Sequence, residues 1–575
     1  MTAGEQEGRP ARPGRMARRG HWLLAALLVL AAFPAPLRAQ PADGTTERLI
    51  QILVKNGVLT RAQADSLLEQ ARAETHAQRP AAKAAPAATA PAAAPAAGTE
   101  GAGHTVRVTL VPETVRQQIA AEVKQEMMQQ ARDEGWAEPS VIPEWVQRIK
   151  LSGDVRVRGQ WDVFPSGNSP DFPNFNAINN LPNGYDATSS TLPPLLNTTA
   201  DRTRVRLRAR LGVDAQVTDW ASTEIRIATG SDDSPVSTNQ TLGSPGDYTK
   251  YSVWIDRAFI RLQPQSWIDI TAGRGPNPFW TSDLLFDNEL GFDGFAAQTR
   301  YISGGSLDGF LNFGAFPVYN TAFNLGSTNE VKTKSDDSWL FAAQAAATWK
   351  PEDWTVRVAA GFFDFSNVQG KESALCDQPT SFGSCSTDGT YAPFIQYGNT
   401  VFPIRNINTS TSTAQPQFYG LASRFEILDL HAQTTYLGWH PFDVRVEGDY
   451  LLNLGFNASA IEKLNPPNNL GANSLYVGGN SGYMLRVAVG QMELTRLWDW
   501  NVSLTYKYRE SDAVLDALTD SLFHLGGTNA KGFVLAGNLA LARNLWLSGQ
   551  WYSTSAVSGP PYSVNTILLD LNAKF

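Results

Sequence analysis

Between Arg202 and Val213 the chain alternates arginine with apolar residues: Arg202, Arg204, Arg206, Arg208 and Arg210 against Val205, Leu207, Ala209, Leu211 and Val213. Successive side chains of a strand point to opposite faces, so an extended conformation gathers the arginines on one face and the oily residues on the other. A strand with two such faces has to separate two different media. If the apolar face meets lipid, the arginines cannot, because each would cost about 2–4 kcal/mol at mid-depth of a bilayer.

The alternation is not local. Ile149, Leu151, Gly153, Val155, Val157, Gly159 and Trp161 share one face, with Lys150, Ser152, Asp154, Arg156, Arg158 and Gln160 on the other. In the last run, odd positions from Ile567 to Phe575 are apolar and even ones mostly polar, Leu568 excepted. Further strands are expected at 221–230, 251–263, 267–274, 294–302, 307–316, 338–349, 354–365, 425–439, 443–456, 482–496, 500–510, 531–542 and 545–553, about 16 in all. A hairpin around Tyr391 to Ile404 would raise the count to 18.

The connections alternate in length. Short ones include Thr218-Asp219-Trp220, Pro264-Gln265-Ser266, Gly304-Gly305, His440-Pro441-Phe442, Leu497-Trp498-Asp499 and Arg543-Asn544. Long ones, at 162–201, 231–250, 275–293, 317–337, 366–424 and 457–481, are rich in Asn, Ser, Gly, Pro and Thr. Short turns at one end and long loops at the other fit an antiparallel transmembrane β-barrel, an all-β membrane fold, and an even count puts both barrel ends on one side. Trp161, Trp220, Trp349, Trp354, Trp500, Tyr506, Tyr508, Trp546 and Trp551 are placed to form interfacial girdles.

Composition agrees. The 575 residues hold 47 Gly, 16 Trp, 16 Tyr and 27 Phe but 2 Cys and 6 His, and mean hydropathy is -0.24. The apolar run Trp22 to Phe33 is too short to span a bilayer as a helix. With Arg18-Arg19 before it and Pro34-Ala35-Pro36-Leu37-Arg38-Ala39 after it, it reads as a secretory signal cut after Ala39, with Met16 a more natural start than Met1. A net charge of -8 gives no reason to expect a nucleic-acid partner. Cys376 and Cys385 can close a disulfide within one loop of an exported chain. Two thiols with no histidine nearby do not make a metal site, and neither metal nor cofactor is expected.

Five segments follow: leader and signal at 1–39, a short helical segment at 40–79, an Ala/Pro-rich linker at 80–103, an extended piece and helix at 104–147, and the barrel at 148–575. The helix from about Pro112 to Arg132 carries Val115, Ile119, Val123 and Met127 as a narrow stripe. That stripe suits a self-associating coil, a trimer among the options, and equally a solvated helix under the barrel.

Val111-Pro112-Glu113, Gly135-Trp136, Ile142-Pro143-Glu144-Trp145, Leu151-Ser152-Gly153-Asp154-Val155-Arg156-Val157-Arg158 and Ala272-Gly273-Arg274-Gly275-Pro276-Asn277-Pro278-Phe279-Trp280 resemble the putative porin family of Gram-negative bacteria, over the chain from about residue 45 to its end. The resemblance implies a bacterial outer-membrane barrel with a periplasmic N-terminal region. Its surroundings would be lipid bilayer and lipopolysaccharide, its solutes small and hydrophilic. Phe575 likewise resembles the terminal aromatic signal read by the barrel-assembly machinery.

A barrel of this size leaves an aqueous channel, so function falls to charges on its inner face and to any loop narrowing it. Arg202, Arg204, Arg206, Arg208 and Arg210, with Arg156, Arg158 and Arg226, form a basic inner wall. It is either an electropositive track for anions or a wall neutralised by inward acids such as Asp154 and Glu224. The third long loop, 275–293, carries Asp283, Asp287, Glu289 and Asp293, stiffened by Pro276, Pro278, Phe279 and Trp280. In general porins that loop folds inward, so an acidic loop facing a basic wall is expected to set a transverse field. A structural or adhesion barrel with a plugged lumen is the main alternative. An outer-membrane hydrolase would need a histidine-centred nucleophile. Of His431, His440 and His524, only His431 shares a polar face with an acid, Asp429, and Ser423 is not a convincing partner, so no catalysis is expected.

Overall fold

The computed structural model describes residues 146, 148–302, 306–321, 335–377 and 385–575. The expected signal, helical segment, linker and stripe-bearing helix before residue 146 lie outside the described residues.

Sixteen strands run through the barrel wall: β1 (Ile149–Val163), β2 (Arg202–Thr218), β3 (Ala221–Ala228), β4 (Trp254–Gln265), β5 (Ile268–Gly275), β6 (Phe292–Ile302), β7 (Leu307–Tyr319), β8 (Ser338–Trp349), β9 (Trp354–Ser366), β10 (Phe425–Trp439), β11 (Phe442–Asn453), β12 (Ser481–Gly490), β13 (Trp500–Arg509), β14 (Ala530–Ala542), β15 (Leu545–Ala556) and β16 (Ser563–Lys574). Each pairs antiparallel with its sequence neighbours, and β1 pairs with both β2 and β16, which closes the ring. Closure leaves no strand edge to satisfy in lipid. A two-residue piece, Gln240–Thr241, pairs with β2 opposite Leu207 and Arg206, filling the wall above the end of β3. The hairpin considered near Tyr391 does not join the wall. Val401–Pro403 pairs instead with Tyr419–Leu421 inside the long loop.

The two faces separate as the alternation requires. On β2, Val205, Leu211 and Val213 are exposed on the outside, while the side chains of Arg204, Arg208 and Arg210 are 13–17% exposed. On β16, Ile567, Leu569 and Leu571 face out and Thr566, Asp570 and Asn572 are buried inside. Leu568, the exception to the pattern, turns inward with Phe523, Ala530, Val534 and Tyr552. Trp220, Trp267, Trp349, Trp354, Trp439, Trp498 and Trp500 are exposed at the short-turn end, as an interfacial girdle should be. Trp546 does not belong to it. It pairs with Asn572 and shares the inward face of β15 with Ser548 and Tyr552.

At the seam, the amide and carbonyl of Phe575 bond the backbone of Gly153 at 2.9 and 3.0 Å. The Phe575 ring lies over Gly153 so closely that a Cβ there would meet it at 2.4 Å. A length correction falls on β12, which stops at Gly490 (φ 125°), six residues before the expected end. Residues 491–499 form a longer turn, in which Asp499 accepts from the amides of Thr495 and Arg496.

The main apolar core lies inside the barrel. Phe279, Leu284, Leu285, Phe286 and Leu290 of the loop 276–291 pack on Phe316, Leu340, Phe363 and Ile427 of the inner wall. Phe279 meets Phe363 edge-on at 5.1 Å between ring centres, a favourable aromatic geometry. This packing holds the loop in the lumen.

Candidate functional site

The arginine row runs down β2, with Arg202 exposed at the long-loop end. Across the β1–β2 ladder, Arg206 lies opposite Arg158, Arg208 opposite Arg156, and Arg210 opposite Asp154. Asp154 bridges Arg208 at 2.7 Å and Arg210 at 2.7 Å. Asp162 bridges Arg204 at 2.8 Å. Arg158 makes a two-point bond with Asp570 of β16, 2.7 Å from Nε and 2.6 Å from Nη2. Arg226 bonds Asp256 at 2.5 Å, while Glu224 meets Arg257 at 3.5 Å. Glu224 is therefore inward but serves β4, not the arginine row.

The acidic residues of the third long loop part company. Glu289 reaches the row, at 3.1 Å from Arg156 and 2.5 Å from Arg208. Its other oxygen accepts from the amide and hydroxyl of Thr238. Burial pushes the Glu289 carboxyl up, but Arg156 and Arg208 outweigh it and hold it well below the usual carboxylate range. Asp283 goes elsewhere, to Arg486 of β12 at 2.8 Å and Lys507 of β13 at 2.7 Å. Those two cations likewise overcome its burial and keep it ionised. Asp287 accepts from the amides of Glu289 and Ser521. Burial, then the neighbouring Asp520, raise it to about 7. Asp293 pairs with Arg274 at the base of the loop, 2.7 Å away. So one of the four acids meets the basic wall, and the loop is tied to two sectors of the barrel.

Further ties fix its path. The amide of Trp280 donates to Gln344 Oε1, and Gln344 Nε2 donates back to the Trp280 carbonyl, both at 2.9 Å. Ser282 bonds Asp449. Arg509 Nη1 donates to the Leu284 carbonyl at 2.8 Å. The Trp280 ring stacks on His431 at 3.9 Å, and the Arg357 guanidinium lies 4.2 Å from the Trp280 ring centre. The ring nitrogens of His431 go to Glu447 (3.0 Å) and the Trp280 carbonyl (3.5 Å), a positioning arrangement with no nucleophile in it.

The second cationic group, Arg486, Lys507 and Arg509, is not evident from a row of like residues in the sequence. Its signal was the polar face of β13, where Thr505, Lys507 and Arg509 alternate with Leu504, Tyr506 and Tyr508.

Cavities open on both sides of this plane. Toward the long loops, one of about 600 Å³ is bordered by Asp162, Arg202, Arg204, Tyr397 and Tyr562. Toward the short turns, one of about 360 Å³ is bordered by Asp283, Arg445, Arg486, Lys507 and Gln550. Cys376 and Cys385 are joined by a disulfide within the 367–424 loop.

Residues 43–575 match the family described as putative porin. No curated protein matches the chain. Among solved structures, the chain is similar to the outer membrane channel DcaP of Acinetobacter baumannii, at 11% identity over 74% of this chain and 97% of that one, with a TM-score of 0.36. It is similar to OprB of Pseudomonas putida at 9% identity, over 75% and 96%, with a TM-score of 0.40. For OmpF of Salmonella typhi in complex with daunomycin, identity is 8% over 74% and 97%, with a TM-score of 0.36.

Proposed function

We propose, for a chain that belongs to the putative porin family, that it is an outer-membrane channel admitting small hydrophilic solutes by passive diffusion and favouring anions. One observation carries the proposal: the loop 276–291 lies across the lumen, tied by Glu289 to Arg156 and Arg208 and by Asp283 to Arg486 and Lys507. A loop held by charge pairs at two walls sets both the width and the local field of a pore. The cavities of about 600 and 360 Å³ on either side supply an entrance and an exit.

The expected transverse field takes a different form from a uniformly acidic loop against a basic wall. Glu289 faces the arginine row, while Asp283 serves the second cationic group, so cations border the loop in both sectors. That arrangement favours anions over cations in transit. The long loops would face outward and the short turns, with Phe575 and the N-terminal region, the periplasm. We extend the proposal to a homotrimer on the strength of the stripe Val115, Ile119, Val123 and Met127; native mass spectrometry in detergent tests it, and a monomer contradicts it.

The plugged, structural barrel keeps one observation in its favour, the apolar packing of Phe279, Leu284, Leu285 and Phe286 inside the lumen. Swelling of proteoliposomes separates the two. A porin gives swelling in arabinose and faster swelling in a small organic anion than in a cation of equal size. A plugged barrel gives none in any solute.

A further inference from the structure

Charge along the arginine row does not balance, and the imbalance is localised. Seven arginines on β1 and β2, at 156, 158, 202, 204, 206, 208 and 210, stand against four carboxylates, those of Asp154, Asp162, Glu289 and Asp570. Arg202 is exposed at the long-loop end; of the six arginines below it, every one but Arg206 has a carboxylate within ion-pair distance. Arg206 has two long contacts with neutral oxygens, Gln160 Oε1 at 3.4 Å and the Asn239 carbonyl at 3.3 Å. Neither neighbour is free to do better. The Gln160 amide is turned to donate to Asp162, and the Asn239 side-chain oxygen accepts from Arg156.

A second observation falls at the same place. Of six guanidinium nitrogens buried without an acceptor among the described residues, four lie here: Arg156 Nε, Arg158 Nη1, Arg204 Nε and Arg206 Nε. They belong to Arg206 and to three of the arginines around it. Arg158 lies directly across the ladder and Arg204 two residues up the strand. A buried donor left without an acceptor costs about 1–3 kcal/mol, more for a charged group. Packed guanidinium groups raise that cost by mutual repulsion. Arg206 itself is half-buried, and Arg204, two residues up the strand, borders the 600 Å³ cavity at the long-loop side.

We infer that Arg206, with Arg158 and Arg204, forms a discrete binding site for one oxyanion group, a carboxylate or a phosphate, and that the row is a single step for anions and not a continuous track. Planar, forked guanidinium donors match such groups in geometry as well as charge. The bound anion supplies the missing counter-charge and accepts from the orphaned nitrogens. This deepens the porin proposal and rests on it for its physiological meaning, though the site itself does not require an open pore.

The test is calorimetric titration of the purified, detergent-solubilised full chain in a buffer free of other oxyanions. Inorganic phosphate is the ligand in one arm and acetate in the other, with circular dichroism to verify the barrel in each variant. Saturable one-site binding is expected in at least one arm, and the tighter arm identifies the source of the anion. Arg206→Gln should weaken it at least about 10-fold, the size of one lost charged hydrogen bond. Arg206→Lys, which keeps the charge but loses the fork, should fall between and serves also if Arg206→Gln does not assemble. Absence of saturable binding in both arms, or wild-type affinity in both variants, overturns the site. Conductance of the same preparation is read separately. A barrel that conducts but does not bind loses the site and keeps the pore, and one that binds but never conducts does the reverse.

Discussion

Glu289 Oε1 lies 2.5 Å from Arg208 Nη1, joining the returning end of a loop to a strand 81 residues earlier in the chain. The same oxygen is 3.1 Å from Arg156, so one carboxylate holds two strands. Glu289→Gln should release this tie. Removing one partner of a buried pair costs roughly 3–5 kcal/mol, and this pair's partial exposure lowers the figure. The expected outcome is a larger and noisier single-channel conductance together with stronger anion preference, because two guanidinium groups lose their counter-charge. Unchanged conductance and selectivity would mean that the loop is held by its apolar packing and its other ties, those of Asp283, Trp280 and Leu284 among them.

The buried pair Arg158–Asp570 stands at the seam, with side chains 2% and 4% exposed. Asp570→Asn leaves the guanidinium buried and under-satisfied, and should cost about 3–5 kcal/mol of barrel stability. Denaturant unfolding in lipid bilayers measures it. A loss below about 1 kcal/mol would show that the seam is stabilised by its backbone ladder and not by this pair.

Phe575 and Gly153 make a second seam contact, ring over glycine. Gly153→Leu should displace the ring and slow assembly in a folding assay with lipid vesicles, as should deletion of Phe575. If the deletion assembles at the wild-type rate yet loses conductance, Phe575 belongs to the pore and not to closure.

Asp287 gives the loop a pH dependence. Its carboxyl is raised to about 7 by burial and by Asp520, with Glu289 also contributing repulsion. A carboxyl with a raised folded pKa is at its most stabilising when protonated. Its contribution is complete below the unfolded value near 4 and is lost as pH rises through about 7. Conductance noise should therefore increase between about pH 4 and 7 and level off above that, and Asp287→Asn should flatten that rise. An identical pH profile in the variant would remove Asp287 from the account.

The barrel was legible in the sequence because alternation with period two, long–short connections and an inward arginine face need only local geometry and the cost of charge in lipid. The loop's acids were legible as candidates, not as partners. Whether Glu289 or Asp283 meets the arginine row depends on the path of the loop across the lumen, and that path is set by apolar packing on strands far away in sequence. Asp570 lies 412 residues from Arg158, and ring closure alone brings them together. The overrun of β12 has a local cause. Past Gly490, whose positive φ ends the strand, Met492 and Leu494 still recur with period two, but out of phase with the outward Tyr483, Leu485, Val487 and Val489, so the pattern runs on while the face has changed. Trp546 misled for the opposite reason, since an aromatic near a strand end suggests a girdle whichever way it points.

Single-channel recording of the wild-type protein in a planar bilayer under a potassium chloride gradient tests the central claim most directly. A porin of this design gives discrete open steps and a reversal potential displaced toward the chloride equilibrium value. Assembled protein that produces no steps, or a reversal potential on the potassium side, contradicts it.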